Sequence, residues 1–453
     1  MTAITASGRG RVSDRTVIIG LVILVLAIGI PYAVMGPKFI LDDWFTIDWR
    51  SRLGLLHTSD QMQSRPGAWA TFVVEFGLIG RHPLVIHLLQ VALSAVIAVL
   101  LFLVARHFLS TALAGGLAAL WILLPDHSSL ERWASTMGIQ MSLLLFLAGV
   151  LLLTRTTGAR RPPVAAVACF VASALCYEAT LPASAAALLV IPWLMGRRPR
   201  LKSLALEVLP LVAAGLWMLA HTQHEKSGWF RFDLVYDAHF AWGVTPTRGL
   251  GLMLALGAAI AITFAVAGLV LPGFRHLDRR ACWLVVAGLV VIVLGTLPFA
   301  RYDIEPLALG DRANSVSSLG VASVWLGALL LLWQWRVLAI AAAMIVVGLF
   351  VAKDFQRDTD YARAGRDASR ILTAVGRAYP ESPRQPIVVG PKPIYHHGVV
   401  GLIGIEDQAG RAFLHRPDIH IYVAQHVREY DAAPPHLRVD TRRIGGGTVE
   451  SEP

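Results

Sequence analysis

What most constrains this chain is the recurrence of apolar runs long enough to cross a lipid bilayer, separated by short polar connections. Taking windows of roughly seventeen to twenty-five apolar residues as spans, helices are expected near 16–35, 83–105, 109–125, 138–154, 163–177, 180–195, 203–222, 248–272, 282–300, 316–335 and 337–352. The runs at 109–125, 163–177, 180–195 and 337–352 are short for a crossing and must tilt, kink or be split differently. With 55% hydrophobic and 15% charged residues and a mean hydropathy of +0.59, the composition excludes a soluble enzyme built on one or two cores. The fold class expected is an all-α polytopic membrane protein with about 11 transmembrane helices.

The connections test that reading by their charge. Arg9, Arg11 and Arg15 precede the first run, which is long for a secretory signal and leads straight into Gly36, Pro37 and Lys38, so it is read as an uncleaved span behind a cytoplasmic tail, residues 1–15. From that start, alternate connections carry Arg106, then Arg155, Arg160 and Arg161, then Arg197, Arg198, Arg200 and Lys202, then Arg275, Arg279 and Arg280, and finally Arg336. Cations gathered in every second connection obey the positive-inside rule. The net charge of +10 is accordingly assigned to orientation, and no nucleic-acid partner is expected. Cys169, Cys176 and Cys282 lie inside apolar runs and support neither a disulfide framework nor a cysteine metal site.

The opposite face collects the acids, from Asp42, Asp43 and Asp48 through Asp126, Glu131 and Glu178 to Asp303 and Asp311. That is more carboxylate than solubility requires, and it points to a polar cavity there. Asp42 and Asp43 stand together just past the first span, beside Trp44, Phe45 and Trp49, residue types that favour the membrane interface. The pair reads equally as a reaction centre or as a solvated loop. Within the long outer loop 36–82, Trp69, Phe72, Val73 and Phe76 follow helical spacing, as in a helix lying in the interface or a re-entrant piece. In the second long loop, His221, His224 and Glu225 have metal-ligand letters, although a His pair near a helix end more often marks a solvated terminus.

After Phe350 the composition changes. Residues 353–440 are charged and proline-bearing and read as a small extracytoplasmic α/β segment, with a helix from Tyr361 to Ala378 and β-like runs at Ile387–Val389 and Ile419–Val423; residues 441–453 read as a disordered tail. No internal repeat, phosphate-binding P-loop or nucleophile elbow is found.

Five motifs recur in order on the acidic face: Asp42-Asp43-Trp44; Arg65-Pro66 followed by Gly80-Arg81-His82-Pro83 with His87 one turn on; Pro125-Asp126-His127 with Trp133 six residues beyond the His; Tyr177-Glu178 opening a span that contains Pro182; and Asp311-Arg312 before Ser318-Leu319-Gly320. In this arrangement residues 16–352 resemble the multi-pass glycosyltransferases of the GT-C fold, the protein-mannosyltransferase-like class that uses polyprenyl-phosphate sugars. Asp126, Ser129 and Glu131 replace commoner residues around the His, and Tyr177 stands where a Lys often precedes the Glu.

The resemblance implies a glycosyltransferase that moves a sugar from a polyprenyl-phosphate donor to a hydroxyl acceptor, lipid or glycan, on the outer face of a bacterial cytoplasmic membrane. It implies Asp42, with Asp43 beside it, as the base that takes the acceptor proton, and Arg65, His127, Glu178 and Arg312 as substrate-binding residues. Arg suits a phosphate because its planar fork binds two oxygens at once. A divalent cation, Mg or Mn, is left open as a cofactor, with Asp43, Asp126 and His127 as candidate ligands. The alternative is a transporter or flippase for lipid-linked sugars. It is disfavoured because the middles of the spans are nearly free of charge and the two halves show no detectable similarity.

Overall fold

The computed structural model describes residues 13–54, 60–156, 163–196, 201–221, 231–274, 276–300, 307–379, 385–390, 394–402, 404, 406–424 and 426–441. A helix forms at each of the eleven expected runs: Asp14–Met35, Pro83–Ala105, Thr111–Leu123, Met137–Thr156, Val164–Cys176, Thr180–Leu194, Leu201–His221, Arg248–Val270, Arg279–Thr296, Ser317–Leu331 and Arg336–Ala378. Among the described residues, eight helical stretches are long and apolar enough to cross a membrane. Thr111–Leu123, Val164–Cys176 and Thr180–Leu194 have 13 to 15 residues. At 1.5 Å per residue they reach only about 20 Å, short of a bilayer core of about 30 Å. Their shortness follows from where the chain turns: Pro125 and Tyr177 each begin a bend before a full crossing is completed.

Local chemistry sets the ends of these helices. Ser13 caps the first through a hydrogen bond from the Thr16 amide, and Gly36, at φ 76°, takes the left-handed turn that stops it. Pro66 and Pro83 sit in the first turns of their helices, where no amide is needed. Gly320 has a packing reason. A Cβ there would collide with the Gly288 carbonyl, and one on Gly288 would collide with that of Gly320, so the helices Arg279–Thr296 and Ser317–Leu331 touch backbone to backbone.

At one end of the bundle lie the parts that shape the site. The loop after the first span holds a helix, Asp42–Leu53, and a second, Pro66–Phe72, that widens into a π-helical stretch, Val73–Ile79. The helical spacing of Trp69, Phe72, Val73 and Phe76 is therefore real. Phe232–Phe240 forms another short helix there.

The last helix departs from expectation. Instead of a span to 352 and a separate helix from Tyr361, one uninterrupted helix runs 43 residues, Arg336–Ala378, about 65 Å. No proline or glycine turn interrupts it where the composition changes, and its charged half is packed against other elements: Asp354, Arg357, Asp358 and Asp360 are all buried. It leads into a three-stranded parallel sheet, β1 (Ile387–Gly390) between β4 (Ile421–Val423) and β5 (Arg438–Asp440), and a hairpin of β2 (Tyr395–His396) and β3 (Val399–Val400). Helix Glu406–Leu414 covers the sheet.

This segment shares a core with the first loop. Phe39, Trp44, Ile47 and Phe76 pack in one cluster with Ile371, Leu372, Ile387 and Val389. Arg411 donates to Asp48 at 3.0 Å, Arg81 to the Ala412 carbonyl at 2.8 Å, and the Leu41 amide to the Gly401 carbonyl at 3.2 Å. Of the expected tails, 1–15 and 441–453, residues 1–12 and 442–453 lie outside the described residues, as do His224 and Glu225, while Asp14 and Arg15 already belong to the first helix. His221 closes its helix against the Trp217 carbonyl, at 2.9 Å, with its ring stacked on that of Trp217.

Candidate active site

The two neighbouring acids part company at the start of their helix. Leu41, with φ 42° and ψ −123°, turns the chain abruptly into Asp42–Leu53, an unusual conformation for a non-glycine residue that the Gly401 contact helps to hold. Asp43 turns inward and is fully buried. Its Oδ2 accepts from the Ile40 amide at 3.0 Å, and its Oδ1 accepts from the Ser135 amide at 2.8 Å and hydroxyl at 2.6 Å. Burial disfavours the carboxylate more than these hydrogen bonds favour it, and the Asp43 pKa is pushed up to about 7. Glu75, on the π-helical stretch, is buried with neither carboxyl oxygen hydrogen-bonded, and burial, reinforced by the charge of Asp43, pushes it well above the usual carboxylate range.

Asp42 points the other way. Its side chain is 54% exposed, with Oδ2 3.6 Å from Nη1 of Arg312. The Arg312 guanidinium lies over the Trp133 ring, 4.6 Å from its centroid, a cation–π contact. Asp311, preceding it, is buried and accepts from the Ser128 hydroxyl at 2.7 Å and the Ser129 amide at 3.0 Å. Burial raises its pKa against the opposing influence of Arg357 and the two serines. Asp311 therefore serves as a strut that presents Arg312.

Arg65 and Glu178 form an ion pair, and the Arg65 guanidinium sits 4.9 Å over the Tyr177 ring. Beside the ion pair opens a cavity of about 210 Å³, with apolar walls supplied by Leu181, Pro182, Met218, Leu219, Leu297 and Pro298. These residues come from the ends of three helices, so the cavity has one charged lip and an apolar body.

His127 lies deeper. Its ring stacks on Trp121 at 4.9 Å, and its Nδ1 meets Oδ1 of Asp126 at 2.9 Å. The other Asp126 oxygen is 2.7 Å from Nδ1 of His239, a residue that the sequence did not single out. Burial alone would lower the His127 pKa; the Asp126 hydrogen bond and charge, with Glu131 and Asp311, raise it instead.

Two groups thus come together from distant parts of the chain: Asp42 with Arg312, and Arg65 with Glu178. The candidate metal ligands do not. The Asp43 oxygens hold amides and a serine, those of Asp126 hold two imidazoles, and among the described residues no group of three or more His, Cys, Asp or Glu is placed to hold a metal ion. This donor set does not fit a divalent cation, and no step is drawn through one.

Sequence reasoning missed the residues that do the positioning. Arg132 is buried and donates to Asp358 at 2.6 Å, to Asp354 at 3.0 Å and to the Ser128 carbonyl at 3.1 Å. A signal existed in the acids four apart at 354 and 358, which share a helix face. Ser128, Ser129 and Ser135 carry no such signal.

Neither a protein-family model nor a curated protein matches the sequence. Among solved structures, the chain is similar to the Archaeoglobus fulgidus oligosaccharyltransferase tethered to an acceptor peptide containing the NVT sequon, at 10% identity and TM-score 0.44, over 90% of this chain and 64% of that one. It is similar to the same enzyme in complex with Zn and sulfate, at 12% identity and TM-score 0.43 over 90% and 62% of the two chains. It is also similar to apo ArnT from Cupriavidus metallidurans, at 14% identity and TM-score 0.40 over 91% and 90%. The chain spans less than two thirds of the oligosaccharyltransferase. Likeness at this level concerns the path of the chain and does not bear on which residues act here or on what.

Proposed function

We propose that this protein is a GT-C-like membrane glycosyltransferase that transfers a sugar from a polyprenyl-phosphate donor to a hydroxyl acceptor on the outer face of a bacterial cytoplasmic membrane. The observation that carries the reading is the exposed Asp42 carboxylate 3.6 Å from Arg312, at the same end of the bundle as the apolar cavity with Arg65 at its lip. A base and a phosphate-binding cation are what this transfer requires, and a lipid tail requires an apolar trough beside them.

In this mechanism the acceptor oxygen attacks the anomeric carbon while its proton passes to Asp42. The bond between that carbon and the phosphate oxygen breaks, and the electron pair leaves with the lipid phosphate. Arg312, lying over Trp133, stabilises the charge that develops on that phosphate, and Arg65 holds its other oxygens. Asp43 keeps the turn closed beneath Asp42 and does not touch the acceptor.

Asp42→Asn is nearly isosteric. It should leave donor binding intact and reduce transfer by about 10²–10⁴-fold, the usual contribution of a general base. The assay is transfer from a panel of polyprenyl-phosphate sugars by purified protein, with donor binding followed separately. Normal turnover by Asp42→Asn would return the pair to a solvated loop.

A further inference from the structure

Resting on that reading, we infer that Glu178 is a built-in anion: its carboxylate occupies Arg65 while the cavity is empty, and an isoprenoid phosphate must displace it to bind. Arg65 and Glu178 face each other at the lip of the cavity, and one oxygen of the pair, Oε1, is spent on the guanidinium. The other, Oε2, is buried without a hydrogen-bond partner, a costly arrangement that a structural ion pair would be expected to avoid.

The ring of Tyr177 supports the Arg65 fork from below, so the cation stays in place whichever anion it holds. The cavity joins side chains that bear no hydrogen-bonding group, Leu181, Met218, Leu219 and Leu297, to the charged Arg65 and Glu178 and the hydroxyl of Ser64. An amphiphile with one anionic group and an apolar tail matches that asymmetry. Its phosphate would meet Arg65 where Glu178 now sits, and the two negative groups would repel unless the carboxylate swings aside.

Farnesyl phosphate is the probe, and its equilibrium binding to detergent-purified full-length protein is the measurement. Glu178→Gln, which keeps the shape and removes the charge, should bind farnesyl phosphate at least threefold more tightly than wild type while leaving farnesol binding unchanged. Glu178→Asp keeps the charge and should bind no more tightly than wild type. Arg65→Gln should lose most of the binding. Equal or weaker binding by Glu178→Gln, in protein that melts like wild type, would overturn the inference. Inorganic phosphate competing as strongly as farnesyl phosphate would overturn the lipid assignment. If wild type and Arg65→Gln bind farnesyl phosphate alike, the phosphate site itself is misplaced, and that outcome is distinct from a failure of Glu178 alone.

Discussion

Removing the Arg132 guanidinium should be among the most damaging single changes outside the apolar core. Arg132→Met keeps the length and volume of the side chain but leaves Asp354 and Asp358 facing each other, four residues apart on one helix, with their shared counter-ion gone. All three side chains are almost completely shielded from solvent. Breaking a buried ion pair from one side costs about 3–5 kcal/mol. Losing the charged hydrogen bond to the Ser128 carbonyl adds about 1 kcal/mol or more. At a shift of roughly 2–4 °C per kcal/mol for domains of 150–250 residues, the apparent melting midpoint should fall by roughly 10 °C. The assay is thermal unfolding of detergent-purified protein, with wild type and variant in the same micelle. The charge argument makes a second demand: adding Asp354→Asn and Asp358→Asn to Arg132→Met should recover most of the loss, because the triad is then neutral. A melt within 1–2 °C of wild type, or a neutral triad as unstable as the single variant, would refute the reasoning.

Three other outcomes follow from the same geometry. Asp43, with its pKa raised from 3.8 to about 7, binds a proton more tightly in the folded protein than in the unfolded chain, so its contribution to stability falls as pH rises from about 4 to about 7 and is level above; that rise amounts to about 4 kcal/mol, and Asp43→Asn should flatten this part of the stability–pH curve, with an unchanged slope counting against it. Arg312→Lys keeps a charge but loses the fork and its stack on Trp133, so donor binding or turnover should weaken by about 1–3 kcal/mol; unchanged kinetics would make Arg312 a headgroup anchor. A cysteine introduced at Asp407 should react with a membrane-impermeant reagent in intact cells; protection there together with labelling at Gly158 would reverse the proposed orientation.

The hydrophobic pattern made the bundle legible because a membrane-crossing helix must be apolar along its whole length, and that requirement is written residue by residue. The pairing of Asp42 with Arg312 was not legible from either position alone, because a charged residue just outside such a run also solvates a loop or anchors the helix at the interface. What was not legible depends on pairings between remote segments. Asp42 and Asp43 are adjacent and chemically alike, and only the strained turn at Leu41 decides that one faces Arg312 while the other closes on Ser135. His239 reads as one more residue of an outer loop until Asp126 is found against it. The break expected near residue 353 was misread because charge usually marks solvent. Here the charged half of the helix is buried against Arg132 and the C-terminal segment, so the same helix continues through the change in composition.

The segment from Pro125 to Thr136 explains how groups so far apart in sequence come to lie together. Ser135 holds the acid turn through Asp43, Ser128 and Ser129 hold the cation loop through Asp311, and the Arg312 guanidinium lies over the Trp133 ring. Arg132, between these contacts, fastens the segment to the long helix that carries the C-terminal sheet. The Tyr32 hydroxyl reaches the Arg132 carbonyl from the first span at 3.1 Å, and Gln90 reaches the Trp133 carbonyl from the second at 2.8 Å. A network of this kind contributes little net stability, since each buried charge has first to be desolvated. Its effect is on geometry: the Asp42 turn and the Arg312 loop are both held against one short segment that contributes no base of its own, and the gap between them depends on it. Under the proposed mechanism, changes within 128–135 should therefore alter transfer by changing that gap even where the altered side chain touches neither substrate.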